Sequence, residues 1–80
     1  MKKINHIPIH LTIEGVNAEF EAVGWHYPAE NGQAEEFDVQ HLYYTNKIGE
    51  CHDWFSLMSW PSINAEVIKQ LKAVVKDGNL

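Results

Sequence analysis

The side chains best equipped for chemistry are five histidines, His6, His10, His26, His41 and His52, and a single cysteine, Cys51. Cys51-His52-Asp53 is the densest run, and cysteine, histidine and carboxylate are all legitimate zinc ligands. A full site would have to recruit His6 and His10 from the first extended segment. Neighbouring residues on an extended chain point to opposite faces, so Cys51 and His52 do not converge on one ion, and no C-x-x-C spacing stands in for them. His6 and His10 fall on the polar parity of their segment, where solvated histidines are ordinary. No metal or other cofactor is expected.

A nucleophilic reading of Cys51-His52-Asp53 meets the same obstacle, because a triad converges through space and contiguity does not bring that about. Cys51 is expected to be a small, half-buried apolar residue. Glu19 with Glu21, and Glu35 with Glu36, read as a solvated strand face and a loop. They lack the cleft and the unequal environments that acid–base catalysis requires. The five glycines are scattered singly, so no phosphate-cradling loop exists. The chain is not expected to be an enzyme.

The elements that position these residues are legible from periodicity. Ile7, Ile9, Leu11 and Ile13 alternate with Pro8, His10, Thr12 and Glu14, a strand with one buried face. Pro8 cannot donate to a ladder and places that strand, or at least its start, at an edge. Glu14-Gly15-Val16-Asn17 supplies a turn, and Ala18, Phe20 and Ala22 begin a second strand. Its apolar parity then switches to Val23, Trp25 and Tyr27 across Gly24, as a β-bulge there would produce. Residues 28–33 form a loop. A third strand covers residues 36–45, with Phe37 and Val39 on one parity, Leu42 and Tyr44 on the other, and a second irregularity near His41. Asn46-Lys47-Ile48-Gly49 is a turn, after which residues 50–58 read as a short strand and then a turn, the alternative being a helical turn that starts at Asp53. From Ser62, Ile63, Val67, Ile68, Leu71, Val74 and Val75 recur at helical spacing, with Ser62 or Asn64 as cap and Asp77-Gly78 as stop.

These elements make one α+β domain over residues 1–80: an antiparallel sheet of three to four strands with one C-terminal amphipathic helix packed on one face. An apolar share of 45%, including nine aromatic rings, is enough to fold without staples. The lone cysteine excludes an internal disulfide, no apolar run reaches the ~20 residues of a membrane span, and a cytoplasmic protein is expected.

Charge then narrows the function. The net charge is −5, and between Glu14 and Asp53 nine acids face only Lys47. Arginine is absent, so the residue best suited to phosphate and base edges is missing and direct nucleic-acid binding is not expected. Adjacent aromatics such as Tyr43 and Tyr44 must face opposite ways, and one helix covers one face. Aromatic surface ringed by acid is therefore left over, the usual make-up of a protein-binding hot spot.

With these elements in place, the chain resembles the small accessory proteins that tailed bacteriophages and prophages encode. The resemblance rests on a lysine start, the strand of residues 7–13, a strand ending Trp25-His26-Tyr27-Pro28, an acidic loop, a strand over 37–45 and a helix over 62–76. It implies a protein that binds and modulates host or phage machinery, including acidic inhibitors of nucleic-acid-binding complexes such as anti-CRISPR proteins. No functional residue is carried across. The expected activity is a non-enzymatic protein-binding module whose acidic sheet side docks on a basic protein surface. Its contact residues are Glu19, Glu21, Trp25, Tyr27, Glu35, Glu36 and Asp38. The alternatives are a homodimeric structural or assembly protein using the same face or an edge strand, and a small metal-binding protein.

Overall fold

The computed structural model describes residues 1–80. Four strands pair in the order in which they occur: β1 Lys2–Ile13, β2 Val16–Tyr27, β3 Glu36–Thr45 and β4 Cys51–Asp53, each antiparallel to the next. A 3₁₀ turn, Phe55–Ser59, leads into the only α-helix, α1, Pro61–Lys76. The fold is the expected α+β arrangement. Ile13 pairs with Val16, leaving Glu14 and Gly15 as a two-residue turn. Both have positive φ, 51° and 80°, the geometry that matches the twist of the flanking strands.

Two irregularities flank one point of β2. On β1, Ile4 pairs with Gly24 and Ile7 with Ala22, so Asn5 and His6 together stand opposite Val23. On β3, His41 pairs with Val23 and Val39 with Gly24, leaving Gln40 over. Strand β2 itself alternates without a break, so the bulge expected within it at Gly24 lies instead on its two neighbours. Gly24 is needed for a different reason. A Cβ there would lie 2.0 Å from the Asp38 carbonyl oxygen and 2.9 Å from Val39 Cα, a backbone approach that only glycine permits. The irregularity expected near His41 is Gln40, and it brings Phe37, Val39, Leu42 and Tyr44 onto one face despite their change of parity.

That face carries the core. Ile4, Ile9, Leu11, Phe20, Ala22, Val39 and Leu42 from the sheet pack with Ile63, Val67 and Leu71, which recur every fourth residue along α1. Neither Ser62 nor Asn64 caps the helix: Trp60 is the extended N-cap residue and makes no side-chain cap bond. Pro61, with φ preset and no amide to satisfy, occupies the first helical position and pushes both candidates inside. At the other end Gly78 takes φ 76°, and the amides of Gly78 and Asn79 donate to the carbonyls of Val75 and Val74 (3.0 and 3.1 Å). Cys51 is exposed rather than half buried, because β4 is a three-residue edge strand with nothing packed outside it.

The helix also treats the outer edge of β1. The His10 amide donates to Gln70 Oε1 (2.8 Å), and Gln70 Nε2 donates to the His10 carbonyl (2.6 Å) and to Glu66 (2.9 Å). One carboxamide thus occupies both backbone groups of an edge residue, two positions from Pro8, which has no amide to offer. Sixteen helical residues span about 24 Å, whereas twelve strand residues span roughly 40 Å. The molecule measures 45 × 23 × 21 Å, and α1 covers part of one sheet face and none of the other.

Candidate functional site: the open face of the sheet

Cross-strand pairing brings six of the seven expected contact residues onto the face turned away from α1. Tyr27 lies opposite Glu36, Trp25 opposite Asp38, Glu21 between Pro8 and Tyr43, and Glu19 opposite His10. The seventh, Glu35, is elsewhere. It precedes β3 by one residue and shares the parity of Phe37, so its Oε2 accepts from His26 Nε2 (3.0 Å) on the helix side. His26 is 4% exposed, its ring lies 4.8 Å from that of Phe37, and its Nδ1 has no partner. Trp25 is half-buried, with the Lys3 ammonium 4.8 Å from its ring, while Tyr27 is exposed.

The centre of this face is a stack of three rings. Tyr43 stacks with both His6 and His41, with centroid separations of 5.7 and 5.2 Å and interplanar angles of 18° and 15°. Each imidazole is oriented by a carboxylate on the neighbouring strand. His6 Nδ1 donates to Glu21 Oε1 (3.0 Å), and His41 Nδ1 donates to Asp53 Oδ2 (2.8 Å). The carboxylates accept from Nδ1, and Nε2 of each ring makes no hydrogen bond within the protein. The bulge on β1 sets up the first pair, since His6 holds the left-handed φ of 50° that a side chain rarely adopts inside a strand.

Asp53 anchors the His41 side of the stack. Its Oδ1 accepts from the amides of Leu42 (3.1 Å) and Phe55 (3.0 Å) while Oδ2 holds His41. Burial pushes its carboxyl upward, but the hydrogen bonds from His41 and the two amides, with the attraction of the His41 ring, outweigh it and hold the group below the usual aspartate range. Asp53 thus serves His41 rather than His52, which pairs with Tyr44 and points to the opposite side from Cys51 and Asp53. Cys51-His52-Asp53 does not converge, and no three histidine, cysteine or carboxylate side chains cluster to hold a metal ion.

Chemically, the face offers imidazole nitrogens, ring edges and a run of carboxylates on a surface without an enclosing cleft. The depression beside Tyr43, walled by Pro8, Glu19 and Glu21, holds only about 240 Å³. Sequence reasoning missed the ring stack, because the two bulges that align His6 and His41 with Tyr43 cannot be placed from alternation alone. It also missed an all-apolar hollow of about 320 Å³ on the helix side beyond the end of α1, lined by Ile13, Val16, Ala18, Phe20, Tyr44, Trp54 and Leu57. Comparison with protein-family models, with curated proteins and with solved structures found no match.

Proposed function

We propose that the chain is a small non-enzymatic binding module that lays the open face of its sheet on a basic surface of a partner protein. By analogy with the accessory proteins it resembles, that partner belongs to a nucleic-acid-binding complex, which the module occupies and inhibits. One observation carries the reading: the single helix leaves a whole sheet face bare, and that face bears Glu19, Glu21, Glu36 and Asp38 around Trp25, Tyr27 and the His6–Tyr43–His41 stack. The carboxylates steer approach and the rings supply the buried centre of the contact.

Affinity capture from a host lysate at low salt, followed by elution on a salt gradient, identifies the partner. The variant with Glu19, Glu21 and Glu36 changed to Gln and Asp38 to Asn should then associate about tenfold more slowly at low salt, with a flatter salt dependence. Equal association rates for parent and variant would refute electrostatic steering. Light scattering decides against a homodimer on the same face if the protein is monomeric at micromolar concentration.

A further inference from the structure

We infer that the outer edge of β3 is a docking site for an extended, lysine- or arginine-bearing segment of a partner, which joins the sheet as an added strand. The sheet has two long outer edges and treats them differently. On β1, Pro8 lacks an amide and Gln70 occupies both backbone groups of His10. On β3, the fourth strand pairs only with residues 43–45, and the Trp54 amide and the Asp53 carboxylate take the backbone of Leu42. Residues 36–40 have β2 on one side and no strand on the other. Unpaired strand backbone is a template for a further strand.

The surroundings specify what that strand carries. Beneath the edge, a groove of about 350 Å³ runs between β3, the 3₁₀ turn and the first half of α1, with Phe37, Val39, Phe55, Met58 and Ile68 among its walls. On the open-face side of the same five residues stand Glu36 and Asp38, both exposed. A segment lying along residues 36–40 therefore meets apolar side chains on one face and carboxylates on the other. An alternation of apolar and basic residues over about five positions, some 17 Å, satisfies both.

A second copy of the chain does not fit this edge. Pairing β3 with another β3 across a two-fold axis at Phe37 places Glu36 opposite Asp38 of the partner copy and Asp38 opposite its Glu36, and an axis at Asp38 sets the two Asp38 side chains against each other; like charges in cross-strand positions destabilise. The charges that reject self-association are those that admit a basic strand. The inference deepens the protein-binding reading by naming the segment recognised, but it seats that segment on the strand edge and not on the ring stack, so the two can fail separately.

The test uses the isotope-labelled protein at low salt and the capped hexapeptide alternating valine and lysine. Amide shifts should concentrate at residues 37–40 and 55–59. Replacing the lysines by glutamates, or methylating alternate backbone nitrogens of the peptide in either register, should weaken binding by about tenfold or more. The double variant E36K/D38K, altered only at exposed side chains, should reverse the preference toward the glutamate peptide. No shift at millimolar peptide overturns the inference. Shifts centred on His6, Tyr43 and His41 would overturn it while leaving the open-face reading standing, and edge shifts that grow with protein concentration alone would mean that a second copy is the occupant.

Discussion

Replacing Gly24 by alanine tests the arrangement on which the open face depends. The new Cβ would sit 2.0 Å from the Asp38 carbonyl oxygen, whereas ordinary contact begins at 3.4 Å, so β2 and β3 must part locally by about 1.4 Å. Hydrogen bonds of about 2.9 Å cannot survive that stretch. Losing two ladder bonds at roughly 1 kcal/mol each, and loosening the packing of Ala22, Val39 and Leu42 beside them, costs about 3–4 kcal/mol in all. An 80-residue domain has only about 4–12 kcal/mol to lose. The melting temperature should fall by more than about 12 °C, read by circular dichroism. Gly49→Ala is the control: nothing lies within 4 Å of its Cβ, so only the positive φ of 87° is penalised, at about 1 kcal/mol. A Gly24→Ala protein melting within about 3 °C of the parent would refute the reasoning.

Further outcomes follow from individual side chains. Gln70→Leu keeps the helix but uncovers His10, and should cost about 1 kcal/mol in urea unfolding and introduce concentration-dependent association in sedimentation velocity; a variant that stays monomeric would mean that Pro8 alone guards the edge. The folded pKa of Asp53 is depressed, so the stability it supplies is present above the unfolded value of about 3.9 and is lost as pH falls through the folded one. Asp53→Asn should accordingly be less stable than the parent at pH 7 by more than at pH 3, and an equal gap at both would contradict the linkage. His26→Phe retains a ring beside Phe37, removes an unpartnered buried nitrogen and leaves Glu35 free to reach solvent. Its stability should match the parent or exceed it by up to about 1 kcal/mol. A loss larger than that would show the Glu35 bond to be structurally essential.

The architecture was legible because each element's period matched its packing. Ile9, Leu11 and Ile13 alternate on a strand with one buried face, and Ile63, Val67 and Leu71 repeat on a helix with one buried stripe. What alternation could not place was the strand to which an irregularity belongs. The apolar run Val23, Trp25, Tyr27 looked like a change of face, yet the extra residues are His6 with Asn5 on one neighbour and Gln40 on the other. For the same reason Glu19, Glu21, Glu36 and Asp38 were readable as one surface, but the His6–Tyr43–His41 stack was not. Its three members come from strands whose registers each shift by one residue. Glu35 was misgrouped with Glu36 because adjacency in sequence is opposition in a strand, and its tie to His26 depends on where β3 begins.

The clasp between Gln70 and His10 joins residues sixty positions apart, while every strand lies beside the one made just before it. Local pairings of that kind close early and fast, so the hairpins can assemble in the order of synthesis. The clasp cannot, because its glutamine is made sixty residues after its histidine. Until Gln70 arrives, β1 therefore has one naked flank, and the closing of the helix on it ends a window in which nascent copies can zip together. Slowing synthesis between these two residues should prolong that window, and speeding it should shorten it.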